Sequence, residues 1–174
     1  MLFRRLKIFV VPYLLLGPLI QTGCTQDSAW QYTLEKVRSD FPDVIQLSTD
    51  SLAVLIDANT DLVLLDTREF EEYEVSHIAN AIHIDPDQPD FGVLADVDLG
   101  AQMVAYCSVG YRSSAIVTKL NEMGYTNVSN LEGSIFKWAN EGRPVVRDSV
   151  GVRHVHQFDK FWGRLLNEDL RATL

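Results

Sequence analysis

Cysteine is scarce: two residues of 174, Cys24 and Cys107. That excludes a scaffold held together by a disulfide framework, and Cys24 stands at the end of a leader segment, so the two do not suit a pair. Positive charge is short as well. Fifteen Lys and Arg face 24 Asp and Glu, a net charge of −9, which argues against a nucleic-acid partner. Histidine occurs four times. Neither the pair His77 and His83 nor the pair His154 and His156 has further ligands at metal-site spacing, so no metal site is expected. There is no internal repeat and no low-complexity run. The apolar run Ile8–Ile20 is too short to span a bilayer. What remains is 47% hydrophobic and 22% charged, which suits one globular domain with a substantial core.

The N-terminus differs from the rest. Arg4, Arg5 and Lys7 precede Ile8–Ile20, and Gln21-Thr22-Gly23-Cys24 follow. A basic start, a short apolar stretch and small residues before a cleavage point read as a secretory signal over residues 1–23. Cysteine directly after the small residues resembles a bacterial lipoprotein signal, with Cys24 as the lipidated residue. Gln21 departs from that motif, where an aliphatic residue is usual. The expectation is an exported, cell-envelope protein, anchored at the membrane by lipid or leader. Met1–Gly23 carries three basic residues and no acidic one. Without it, 12 basic residues face 24 acidic, a net charge of −12.

The stretch Met103–Ser114 organises the remainder. Met103–Tyr106 is apolar and reads as a strand buried on both faces. Cys107 ends it, Ser108-Val109-Gly110-Tyr111-Arg112 form a short loop, and Ser113 or Ser114 is placed to cap a helix Ala115–Met123. A strand, a tight loop and a helix start bring backbone N–H groups together, and with the helix dipole and Arg112 they favour an anion. That anion is a ligand or the Cys107 thiolate itself, whose pKa such surroundings depress. Gly110 lets the N–H groups converge without a steric penalty. The competing reading of Cys107 is a small buried hydrophobe, but the glycine, the arginine and the helix start that follow it favour a nucleophile.

The pattern Cys-x-x-Gly-x-Arg-Ser after an apolar strand resembles the active-site loop of rhodanese-like sulfurtransferases. Leu62–Ile84 resembles that family's Asp-x-Arg strand end, its Glu-Tyr helix and its His-Ile turn. Leu131–Val145 resembles its closing Gly-x-Ile-x-x-Trp helix. Ser134, where a second glycine is common, and Ala79-Asn80-Ala81, where Pro-Gly-Ala is usual, are departures expected not to touch the chemistry. The resemblance implies an α/β fold: a central parallel sheet of about five strands with helices on both faces. The alternation of strands and helices agrees.

Along the chain, 24–40 reads as a tether (Thr25–Ser28) and a helix (Ala29–Ser39), 41–146 as the rhodanese-like domain, and 147–174 as an extension. Strands are expected at Val44–Leu47, Leu62–Leu65, Ala81–Ile84 and Val128–Leu131. Helices are expected at Ser51–Ala58, after Glu69, and at Gly133–Asn140. Asp66 and Arg68, at the carboxyl end of a strand, support the site as an ion pair. Glu69, Glu71 and Glu72 read as dipole-complementing acids, His77 as a hydrogen-bonded helix end, and Trp138 as core. Asp85–Gly100 reads as a loop near the site's mouth. Asp159 is placed to cap an amphipathic helix bearing Phe161, Trp162, Leu165, Leu166 and Leu170, which docks on the domain or on a membrane-protein partner.

The function implied is sulfur transfer. Cys107 takes a sulfane sulfur from an anionic donor such as thiosulfate, Ser108, Val109, Gly110, Tyr111, Arg112 and Ser113 bind it, and a thiol or cyanide accepts it. No cofactor is required. A phosphatase or arsenate reductase is the alternative enzyme, and loop length separates them. Phosphate-sized oxyanions take five residues between cysteine and arginine, whereas this chain has four. A sulfur-relay or binding module without turnover on free donors is the third reading.

Overall fold

The computed structural model describes residues 23–58 and 61–172, with side chains from Gln26 onward. Its frame is a five-stranded, all-parallel sheet in the order β1-β5-β4-β2-β3. The strands are β1 Ile45–Leu47, β2 Val63–Asp66, β3 Ile82–His83, β4 Met103–Tyr106 and β5 Val128–Leu131. Alternation along the central strands separates two cores. Leu64, Val104 and Tyr106 face one cluster with Leu52 of α2 (Thr49–Asp57) and Ile135, Phe136 and Trp138 of α5 (Ser134–Asn140). Leu65, Met103 and Ala105 face the other with Ile116, Val117 and Leu120 of α4 (Tyr111–Glu122). A strand apolar on both sides is what a parallel sheet covered by helices on each face requires.

The local signals place most elements. Ser48 caps α2, its hydroxyl accepting from Ser51 N–H at 3.1 Å. Gly124 follows α4 in the left-handed region, φ 99°. Three expectations need correction. The helix α1 runs Gly23–Asp40, so the supposed tether Thr25–Ser28 is helical. Its polar first turns lack an apolar period of their own; Gln26 instead donates to the carbonyls of Arg164 and Leu165 in the C-terminal extension. Neither Ser113 nor Ser114 caps α4. Gly110, φ 112°, takes the N-cap position and both serines lie buried in the first turn.

The extension is not an amphipathic α-helix. β6 (Val145–Arg147) and β7 (Val150–Val152) make an antiparallel hairpin, and two 3₁₀ turns follow, Trp162–Leu165 and Glu168–Leu170. Asp159 accepts from Trp162 N–H at 2.8 Å, as its capping role predicted, but only a single turn results. Leu165 and Leu166 are both buried. The 3₁₀ turn ends at Leu165, and the extended Leu166 (ψ 136°) takes the chain off the helical path there. The tail docks on its own domain: Asn140 Nδ2 donates to Leu165 O at 2.7 Å and Asn140 Oδ1 accepts from Asn167 N–H at 2.8 Å.

The leader 1–22 lies outside the described residues, and of Cys24 only the backbone is described. Among the described residues no helix is long and apolar enough to cross a membrane, and no group of three potential metal ligands occurs.

Candidate active site

Cys107 sits where β4 ends, at the carboxyl edge of the sheet. Its residue surface is 1% exposed. Gly110 N–H points at Sγ at 3.1 Å. Gly110 suits its place: its φ of 112° disfavours any side chain, and a Cβ would lie 3.1 Å from Asn130 Nδ2, so that the amide would have to shift. Burial pushes the Cys107 thiol up, but the Arg112 charge and hydrogen bonds from Ser113 and Gly110 outweigh it, and the thiol is held below the ordinary cysteine range. The Ser113 hydroxyl has one proton, and Asn130 Oδ1 takes it at 2.6 Å. The lasting donors to sulfur are therefore the backbone N–H groups.

Arg112 comes back to the loop's mouth as the spacing predicted, with its side chain 23% exposed. Its charge, however, has a partner that the sequence reading passed over. Glu72 of α3 (Phe70–Val75) is 1% exposed. Its Oε1 accepts from Arg112 Nη2 at 3.0 Å and from Ser108 Oγ at 2.7 Å, and its Oε2 lies 2.7 Å from Arg112 Nη1. Burial pushes the Glu72 carboxyl up, but Arg112, Arg68 and Ser108 together hold it below the usual carboxylate range. Glu72 is thus a site residue and not merely a dipole-complementing acid. The Glu-Tyr pair marks its place on the helix but not its role, because the group that defines that role lies 40 residues further along.

The other predicted residues divide. Val109 is buried and, with Cys107, Ser108, Tyr111 and Arg112, lines a cavity of about 150 Å³. Tyr111 turns its hydroxyl away, to Asp40 at 2.8 Å, and its ring meets Phe41 edge-on at 5.1 Å. Asp66 and Arg68 are fully buried and paired at 2.6 Å, and Arg68 Nη2 also donates to Ser76 O. That pair braces the strand end; it belongs to no wall of the Cys107 cavity. His77 Nδ1 donates to Tyr73 O at 3.1 Å, closing α3 as expected. Trp138 is buried, its Nε1 donating to Pro144 O.

Two departures from the family pattern gain a physical reading. Asn80 stands at φ 63° and Ser134 at φ 51°, both left-handed positions where glycine is the usual choice. Asparagine tolerates that region through its short polar side chain. Ser134 gains two contacts instead: its Oγ accepts from Cys107 N–H at 3.1 Å and donates to Leu131 O at 3.1 Å. The expectation that Ser134 lies apart from the chemistry is therefore corrected, since it holds the backbone of Cys107. The loop Asp85–Gly100 is also reassigned. It contributes nothing to the Cys107 cavity, whose remaining walls are Phe158 and Trp162 of the C-terminal extension.

This arrangement offers a buried, acidified thiol with the N–H groups of Gly110 and Ser113 directed at it, suited to nucleophilic attack. Comparison with known proteins bears on the family and the fold. A "Putative sulfurtransferase YtwF" of Bacillus subtilis (strain 168) is 33% identical over 103 residues, covering 59% of this chain and 97% of that one. A tRNA uridine(34) hydroxylase of Photorhabdus laumondii is 29% identical, and the chain spans 34% of its length. The solved structure of a rhodanese-related protein from Thermoplasma volcanium superposes with a TM-score of 0.50 at 29% identity, covering 59% of this chain and 97% of that one. The thiosulfate sulfurtransferase of Pseudomonas aeruginosa shares the fold at 18% identity, with a TM-score of 0.59 over 79% of this chain and 26% of that one. A family model described as "Rhodanese-like domain" matches residues 48–141, from the cap of α2 through the end of α5, and this chain belongs to the rhodanese-like family.

Proposed function

We propose that the protein is a sulfurtransferase that carries a sulfane sulfur as a persulfide on Cys107. The observation that carries this reading is the buried Cys107 thiol at a strand end, with the Gly110 N–H aimed at Sγ and Arg112 at the loop's mouth, which hold it below its usual range. The thiolate attacks the outer sulfur of an anionic donor of the thiosulfate type. A new S–S bond forms at Cys107, the donor's S–S bond breaks, and its electron pair leaves with sulfite. Loop N–H groups hold the persulfide anion. An acceptor thiolate, or cyanide, then attacks the outer sulfur, and Cys107 departs as thiolate, ready for another cycle.

Mass spectrometry after thiosulfate treatment tests this. Cys107 gains one sulfur atom, and Cys107→Ser gains none and transfers none while remaining folded. A persulfide without turnover on free donors makes the domain a relay; sulfur gained by Cys107→Ser places the nucleophile at Cys24.

We further propose that the leader exports the domain and that Cys24 is lipidated, which would present Cys107 to acceptors at the membrane surface. Its support is the basic start, the apolar stretch and the Thr-Gly-Cys that follow. Fatty-acid labelling marks the natural chain and not Cys24→Ala; an unlabelled, released natural chain overturns lipidation.

A further inference from the structure

The cavity over Cys107 is closed on one side by residues that lie outside the part matched by the family model, 48–141. Phe158 and Trp162 both line it, and Trp162 also lines the two neighbouring cavities that run along α1 past Tyr32 and Lys36. Phe158 lies over the Arg112 guanidinium, 4.8 Å from ring centroid to carbon. Its backbone sits at φ 61°, a left-handed conformation that a bulky side chain rarely takes. Such a conformation persists where the surroundings over-determine it, and it concentrates at ligand clamps. Here Phe158 N–H donates to His156 Nδ1 at 3.1 Å, and the Asp159 cap starts the next turn, so the ring is held over the mouth from both sides.

We propose that Phe158 and Trp162 set the size of the group that reaches Cys107, making the site selective for compact sulfur donors and acceptors. The proposal rests on Cys107 being the reacting sulfur. A cavity of about 150 Å³ is of the size that admits a molecule such as benzene. A thiosulfate-sized donor fits beneath the two rings, and a donor with a multi-ring or peptide body meets them. The lining is mostly apolar on the tail side, so size and not a specific polar contact does the selecting.

Thiol alkylation reads this without requiring sulfur transfer. In a Cys24→Ser background, Cys107 is labelled with iodoacetamide, with iodoacetate and with the two-ring reagent monobromobimane, and rates are compared as ratios. In Phe158→Gly and in Trp162→Ala the bimane-to-iodoacetamide ratio rises about tenfold over the starting chain, the scale on which relief of a steric clash acts. Glycine at position 158 suits φ 61°, so that variant removes the ring while easing the backbone. Ratios within about twofold in both variants overturn the proposal, since a relieved clash acts on a larger scale. A rise confined to the iodoacetate-to-iodoacetamide ratio overturns it too, because the ring then only screens Arg112. Persulfide formation, followed by mass in the same samples, separates the two readings. A risen bimane ratio without any sulfur gained keeps the size selection and sinks sulfur transfer.

Discussion

Arg112 and Glu72 decide how much positive charge the Cys107 thiolate feels. The two are bonded at 2.7 and 3.0 Å with Glu72 wholly buried, so neither can be changed without affecting the other. Arg112→Ala removes the cation from the thiol. The Cys107 alkylation midpoint then rises, but only part of the way to the free-cysteine value of about 8.5, because the Gly110 and Ser113 N–H groups and the helix dipole remain. The same substitution leaves an unpaired buried carboxylate, and its cost falls toward the lower end of about 3–5 kcal/mol because Arg112 is partly exposed. Glu72→Gln acts in the opposite sense on the thiol, moving the midpoint down by removing the nearer of the two carboxylates beside Arg112, Glu69 remaining at 3.9 Å. Glu72 also fixes a pH dependence. Its carboxyl is held low in the folded chain, so its contribution to stability is complete above the unfolded value of about 4.3 and is lost as pH falls through the folded one. Urea unfolding and iodoacetamide titration of Arg112→Ala, Glu72→Gln and the double variant check both effects. The double variant is expected to be more stable than Arg112→Ala alone. An alkylation midpoint unmoved in Arg112→Ala means the backbone alone acidifies Cys107.

At the level of elements, legibility follows how local the determining physics is. β4 and β5 are found at Met103–Tyr106 and Val128–Leu131 as read, and β2 within a residue; the apolar runs of β4 and of Val63–Leu65 in β2 mark strands covered on both faces. The α2 cap and the glycine after α4 are equally local. At the start of α4 two serines resemble caps in the sequence, while the N-cap is set by the left-handed Gly110. Glu72, Ser134 and Phe158 were missed as site residues for one shared reason. Each is defined by a partner far along the chain: Arg112, the Cys107 N–H and the Arg112 guanidinium. The cysteine loop was legible because its spacing is itself the geometry. The side chains that surround it were not.

The molecule as a whole is larger than its family match, and the surplus is structural. Residues 48–141 match the family model, yet Val155, Leu165 and Leu166 of the extension are buried in the same cluster as Leu52, Val104 and Phe136, with Ala29 and Trp30 of α1 against it. Burying three such side chains is worth roughly 1.5–3 kcal/mol each, about 5–9 kcal/mol in all. A typical domain's whole stability is about 5–15 kcal/mol. Removing residues 148–174 should therefore abolish cooperative unfolding or lower its midpoint far more than any single truncated side chain. Leu166→Ala, which leaves only a cavity, should cost about 2–5 kcal/mol and stay cooperative. Thermal unfolding followed by circular dichroism compares the two. A shortened chain that melts within a few degrees of the full one, equivalent to about 1–2 kcal/mol at this size, would show that the tail lies on the core without supporting it. The distinction bears on the site, because the same segment carries Phe158 and Trp162 to Cys107. If the tail is part of the core, its two rings are fixed walls of the cavity. Access to Cys107 then changes by substitution at those rings and not by the tail swinging away.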